Sequence, residues 1–221
     1  MDFIDNKILD YALLHSDQES DLLKELARET YQKILQPRML SGPLQGRFLS
    51  LLSKIIQPKT ILEVGTFTGY GTLCLAEGLQ KDGLLHTIDT NEELIDFQKK
   101  YFNRSDYKDQ IKCHLGAAKD VISKLDLSYD LIFLDADKAN YLNYFNLLIP
   151  KLNPKGILIA DNVLWSGKVL EETTSIKDID TPALKEFNEY VKNDQRVETL
   201  LLPLRDGLTI CRKVSLELSF N

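Results

Sequence analysis

Apolar positions along the chain follow two different rhythms. From Asp5 to about Ile56 they recur at helical spacing, in Leu13-Leu14, Leu22-Leu23, Leu26 and Tyr31–Ile34. Gln36-Pro37 and Ser41-Gly42-Pro43 punctuate this stretch. Phe48, Leu49, Leu51, Leu52, Ile55 and Ile56 then predict another amphipathic helix that stops near Pro58. From Thr60 onward, short apolar runs predict strands at Thr60–Val64, Leu84–Ile88, Ile111–Leu115, Tyr129–Leu134 and Gly156–Ala160. Helical stretches separate them. The clearest carries Tyr141, Tyr144, Phe145, Leu148, Ile149 and Leu152 on one face. One more helix is expected after about Thr181. Val197–Leu204 and Leu208–Val214 then flank Arg205-Asp206-Gly207, a hairpin signal. Five βα units followed by a hairpin predict an α/β fold, with a mostly parallel sheet, helices on both faces and an antiparallel pair at one end.

Composition narrows the setting. The chain has 221 residues, 43% of them hydrophobic, enough for one domain with its own core. Lys and Arg total 27 against 33 Asp and Glu, giving a net charge of −6. That balance disfavours a nucleic-acid backbone as partner. Three widely spaced cysteines (Cys74, Cys113 and Cys211) point to neither a disulfide framework nor a zinc site. No basic, apolar leader opens the chain, and no apolar run reaches the roughly 18 residues of a membrane span. A cytoplasmic protein without membrane contact is expected.

The first strand leads into Glu63-Val64-Gly65-Thr66-Phe67-Thr68-Gly69-Tyr70-Gly71. Glycines there let the backbone approach a ligand closely. The spacing is not Gly-x-Gly-x-x-Gly, which counts against a nicotinamide dehydrogenase. Glu63, inside the strand, would repel a pyrophosphate but suits a cationic ligand. The second strand ends at Asp89, 24 residues after Gly65, where a carboxylate can accept both ribose hydroxyls of a nucleoside. A cationic nucleoside points to S-adenosylmethionine.

Two further strand ends carry polar clusters, Asp135-Ala136-Asp137-Lys138 and Asp161-Asn162. Either aspartate alone could simply cap the next helix. If the two strands are neighbours, Asp135, Asp161 and Asn162 converge as hard oxygen ligands suited to Mg²⁺, Mn²⁺ or Ca²⁺. Lys138, one turn on from Asp135, could reach the same pocket. Trp165 suits a pocket wall as well as the core. Tyr101, Phe102, Tyr141 and Tyr144 are expected in the core, and His86 and His114 as structural histidines.

These motifs, with Arg38–Gly46, Asp161-Asn162-Val163-Leu164-Trp165 and Asp206-Gly207, make the chain resemble the metal-dependent O-methyltransferases of the caffeoyl-CoA and catechol type, class I S-adenosylmethionine-dependent enzymes. The resemblance spans nearly the whole chain. It implies a single domain over 1–221, with N-terminal helices over 1–57 and a Rossmann-like core over 58–221 whose seven-stranded sheet has an antiparallel last strand. It implies cofactor contacts from Ser41, Glu63, Gly65, Thr66, Gly71, Asp89, Ala118 and Asp137, and a divalent ion held by Asp135, Asp161 and Asn162. Lys138 would be the base, aided by Asp135, and Met39, Lys138 and Trp165 would face the acceptor. The acceptor implied is a small vicinal-diol aromatic, and the assembly a homodimer. Two departures stand out. The family often has Ser where this chain has Gly71. The stretch Thr199–Leu204 is apolar where animal catechol enzymes place a substrate-gripping carboxylate. Methyl transfer to a hydroxylated tRNA base is the alternative activity. A cofactor-binding protein without catalysis fits poorly with intact Asp135, Lys138, Asp161 and Asn162.

Overall fold

The computed structural model describes residues 4–214. Seven strands form one sheet: β1 (Thr60–Val64), β2 (Leu84–Asp89), β3 (Ile111–Leu115), β4 (Tyr129–Leu134), β5 (Leu152–Asp161), β6 (Val197–Leu202) and β7 (Leu208–Lys213). Their order is β3-β2-β1-β4-β5-β7-β6. β1 to β5 pair in parallel, and β7 lies antiparallel between β5 and β6. The chain steps outward from β1 to β3, then crosses back to β4. The order therefore reverses between β1 and β4, which is where an open α/β sheet offers a crevice at its carboxyl edge.

Among the described residues, eight α-helices accompany the sheet: α1 (Asn6–Leu14), α2 (Asp21–Lys33), α3 (Gly42–Ile56), α4 (Tyr70–Ala76), α5 (Ile95–Phe102), α6 (Ala118–Lys124), α7 (Tyr141–Leu148) and α8 (Asp180–Asn193). Local chemistry sets their ends. The Ser20 hydroxyl accepts the Leu23 N–H and caps α2. α3 stops at Gln57, in the left-handed region at φ +50°, just before Pro58. Strand alternation divides the core between the two faces of the sheet. Leu62, Ile132, Leu134 and Leu158 pack under α6, α7 and α8 with Ile122, Phe145 and Phe187. Ile61, Leu131, Phe133 and Ile159 pack with Leu26 of α2, Leu49 of α3, Leu73 of α4 and Tyr101 of α5. The N-terminal helices thus cover the face that also carries α4, beside the crevice. Among the described residues, no helix is long and apolar enough to cross a membrane.

Two expectations need correction. The helical face read as running to Leu152 ends at Leu148, and Leu152 opens β5. Pro150 lacks the N–H that would continue the helix, so Ile149–Lys151 tightens into a 3₁₀ turn. β5 therefore starts four residues before Gly156. Its first part bulges away from β4: Tyr129 pairs with Leu152, but Leu131 pairs with Ile157. At the hairpin, β6 stops at Leu202 rather than Leu204, so the turn is longer than Arg205-Asp206-Gly207. The connection runs from Pro203 to Gly207, with Arg205 at φ +50° and Gly207 at φ +86°.

Candidate functional site

Glu63 lies in the middle of the sheet, 1% exposed. Its carboxylate accepts hydrogen bonds from the hydroxyls of Thr72 and Thr87, the latter at 2.6 Å. Burial pushes its carboxyl up to about 8, against the pull of those two hydroxyls. A carboxylate so desolvated is a receptor for positive charge. Two residues on, Gly65 has φ +106°, and a Cβ there would sit 1.9 Å from the Asp135 carbonyl oxygen. Only glycine lets β1 and β4 meet this closely at their ends. The loop then turns through Phe67 at φ +47° and Gly69 at φ +88° into α4.

Asp89 closes the other side of this loop. Its carboxylate accepts the Phe67 N–H at 2.7 Å and the Asn91 N–H at 2.9 Å. Both oxygens are thereby aimed, and each keeps lone pairs for a further donor. From the N-terminal segment, Met39, Leu40 and Ser41 roof a crevice whose walls include Glu63, Gly65, Thr66, Gly71 and Asp135. Six of the expected ligand-binding positions (Met39, Ser41, Glu63, Gly65, Thr66 and Gly71) are thus brought together. Asp89, Ala118 and Asp137 lie outside that lining. Ala118 opens α6 after the end of β3, and Asp137 accepts hydrogen bonds from Asn140 and from Tyr144, the latter at 2.7 Å.

Asp135 belongs to both parts of the site. Leu134 and Ala160 are register partners in parallel strands, so Asp135 and Asp161 emerge side by side. Neighbouring strands run about 4.8 Å apart. Asp161 is 3% exposed. Burial and the Asp135 charge both push its carboxyl up, against the Gln45 and Asn162 donors that favour its ionised form. Asn162 follows in the left-handed region at φ +59°, which Asn tolerates, and its N–H donates to Asp161 Oδ1 at 2.7 Å. Lys138 is buried, and its Nζ donates to Asp135 Oδ1 and to Tyr141 Oη, both at 2.7 Å. Burial works against the lysine charge, but Asp135, Tyr141 and Asp161 outweigh it and hold Lys138 as an ammonium. The Tyr141 hydroxyl donates to the Asp161 carbonyl oxygen at 2.9 Å, pinning the end of β5.

Trp165 lies outside the crevice lining and packs, half-buried, against the α8 side of the core. Its segment is clipped by the hairpin turn. The Val163 N–H donates to the Gly207 carbonyl at 3.1 Å, the Leu164 N–H to the Asp206 carbonyl at 2.9 Å, and the Ser166 N–H to Asp206 Oδ1. From the same turn, the Arg205 guanidinium donates to the carbonyls of Leu40, at 3.0 Å, and Ser41. His86 and His114 form a pair away from the crevice, with Nδ1 and Nε2 2.9 Å apart and their rings stacked.

Several of these partners are invisible at the level of motifs. Gln45 donates to Asp161 Oδ2 at 2.5 Å from 116 positions away. Thr72 and Thr87 have no local signature as partners of Glu63. Tyr141 fills the core as expected, but its hydroxyl also orients Lys138. For Gln45 alone the sequence held a hint, since it sits in the Arg38–Gly46 motif.

The site fits a hard divalent cation. Among the described residues, no three His, Cys, Asp or Glu side chains cluster to hold a metal. A cation here would have two carboxylates supplemented by amide oxygens. The two carboxylates repel each other in a desolvated pocket, and the carbonyl oxygen of Gln45 beside them is buried without a hydrogen-bond partner. Both features are relieved by positive charge.

Comparison with known proteins agrees with this geometry. A family model described as O-methyltransferase matches residues 14–214. Caffeoyl-CoA O-methyltransferase 2 of Petunia hybrida is 35% identical over 214 residues, covering 90% of this chain and 86% of that protein. Probable caffeoyl-CoA O-methyltransferase 2 of Dictyostelium discoideum is 30% identical over 215 residues, covering 95% and 93%. Among solved structures, the O-methyltransferase from Bacillus cereus in complex with SAH superposes with a TM-score of 0.81 at 29% identity, covering 88% of this chain and 91% of that one. The SAH-bound methyltransferase PaMTH1 of Podospora anserina gives a TM-score of 0.86 at 26% identity, covering 95% of each.

Proposed function

The chain belongs to the O-methyltransferase family, and from that premise we propose that it moves the methyl group of S-adenosylmethionine to one hydroxyl of a vicinal-diol aromatic small molecule, with a divalent cation held by Asp135, Asp161 and Asn162. The observation that carries this reading is the position of Asp135. It walls the cofactor crevice and also stands beside Asp161 on the adjoining strand. The caffeoyl-CoA names of the relatives favour a catechol-like or caffeoyl-type acceptor.

S-Adenosylmethionine supplies the methyl group on a positively charged sulfur. Glu63, desolvated and pre-oriented by two threonine hydroxyls, favours a cation in the crevice, and Asp89 is set to receive ribose hydroxyls. Ser41 and Met39 line the crevice from the N-terminal segment. A bound divalent cation would bring Lewis acidity toward the acceptor hydroxyls and offset the carboxylate charge that holds Lys138 as an ammonium. Lys138 Nζ is aimed by its hydrogen bond to Tyr141 Oη; once it has released its own extra proton to solvent, the neutral amine takes the hydroxyl proton.

Magnitudes rank these contributions. A phenol has a pKa of about 10, and lowering it by roughly 3 units is about 4 kcal/mol. Alignment of two bound reactants supplies roughly 7–11 kcal/mol. Positioning by the sheet edge therefore dominates, and deprotonation is second.

The test is methyl transfer from labelled S-adenosylmethionine to a panel of catechols and coenzyme A esters, with and without EDTA. Transfer is expected only to vicinal diols, to stop in chelator and to return with Mg²⁺. Full turnover in chelator, or on acceptors with a single hydroxyl, overturns the reading.

A further inference from the structure

Gln45 lies on α3, one turn beyond Ser41, and is 1% exposed. Its two amide atoms are treated very differently. Nε2 donates to Asp161 Oδ2 at 2.5 Å, whereas Oε1 is buried with no hydrogen-bond partner. A primary amide keeps its shape when half a turn about its terminal torsion exchanges oxygen and nitrogen. Gln45 therefore has two orientations that fit the same space. One offers a donor to an anion, and the other offers a carbonyl oxygen. The charge at Asp161 decides between them. With the carboxylate facing no cation, the donor orientation is favoured. A cation on Asp161 repels the N–H₂ end and attracts the oxygen.

Hard divalent cations take six or more oxygen ligands, amide carbonyls among them. Asp135, Asp161 and Asn162 contribute only three side chains. We infer that Gln45 is a fourth protein ligand, its amide turning over when the cation binds so that Oε1 faces it. This inference rests on the cation reading above. It also gives the N-terminal helices a direct stake in the cation site, because α3 supplies both Gln45 and the Ser41 end of the crevice roof.

The contrary reading makes Gln45 a mere donor to the ion-free carboxylate, and it predicts the opposite sign. A donor that must be displaced competes with the cation, so removing it tightens binding. A ligand, when removed, weakens binding. Mn²⁺ affinity, measured by calorimetry and by electron paramagnetic resonance on the full chain, separates the two. Gln45→Met preserves bulk without polar atoms, and Gln45→Ala is a second variant suited to a helix. Either variant, once folded, should bind Mn²⁺ at least 10-fold more weakly than the unmodified chain. Unchanged or tighter binding overturns the inference. If the unmodified chain binds no Mn²⁺, the cation reading falls and takes this inference with it. On the unmodified chain, Mg²⁺ should shift the Gln45 side-chain N–H₂ resonances in a ¹⁵N spectrum, and resonances that stay in place overturn the inference without any variant.

Discussion

The carboxylate of Asp89 accepts the backbone N–H of Phe67 at 2.7 Å, so the end of β2 holds the glycine loop that follows β1. Phe67 needs that support, since φ +47° is an unfavourable conformation for an aromatic residue. The same carboxylate is the proposed ribose acceptor, so one side chain would both shape the loop and bind the cofactor. Asp89→Ala should weaken S-adenosylmethionine binding by about 10- to 100-fold, in line with losing hydrogen bonds to a charged group. Calorimetry reads this directly, and unchanged affinity would remove Asp89 from the cofactor site.

Gly71 faces Glu63. A Cβ at position 71 would lie 2.8 Å from Glu63 Oε1. The carboxylate cannot swing away cheaply, because Thr72 and Thr87 hold it in a buried setting. Gly71→Ala should cost about 1–3 kcal/mol of stability, the usual penalty for overpacking. Denaturant melts check this. A variant as stable as the parent would mean that Glu63 has room to move.

Glu77 anchors α3 to the end of α4. It accepts hydrogen bonds from Arg47, from Ser50 at 2.6 Å and from Lys54 at 2.9 Å, with 16% of its side chain exposed. Burial raises its carboxyl, but those three donors prevail and lower it from 4.5 to about 2. A carboxylate depressed in the folded state contributes stability above its unfolded pKa and loses it as pH falls. The chain should therefore lose up to about 3 kcal/mol between pH 4.5 and 2 from this group. Urea melts should show Glu77→Gln less stable at neutral pH and flatter through that acid window.

The His86–His114 pair titrates higher up the scale. Burial lowers both imidazoles from 6.5, and His86 also feels the charge of His114. A histidine depressed in the folded state favours folding when neutral, so stability should fall as pH drops below about 6.5. His86→Phe should reduce the slope of stability against pH between 7 and 5 and leave the Glu77 window untouched. An unaltered slope would assign that loss to other groups.

Strand placement was legible in the sequence because β1, β2 and β4 are short apolar runs that are largely buried, and four of the five runs begin where β1 to β4 begin, the mostly exposed edge strand β3 included. The fifth was obscured because Leu152 continues the helical spacing of Tyr141 and Leu148, and only the missing N–H of Pro150 breaks it. Carboxylates at strand ends were legible for the same topological reason: parallel strands bring their carboxyl ends to one edge. The partners that set their chemistry were not. Gln45 reaches Asp161 across 116 positions, and Thr87 reaches Glu63 across 24. Such pairs arise from helix packing and strand register, which local spacing does not encode. Periodicity places Tyr141 in the core, where it is fully buried, yet it says nothing of where a hydroxyl at the tip of a buried ring will point.

The β6–β7 turn grips two segments that are otherwise remote. Asp206 and Gly207 fasten the stretch from Val163 to Ser166, and Arg205 fastens Leu40 and Ser41. An insertion or deletion in the hairpin tip would therefore move both segments together, shifting Leu40 and Ser41 over the crevice along with the stretch that follows Asp161 and Asn162.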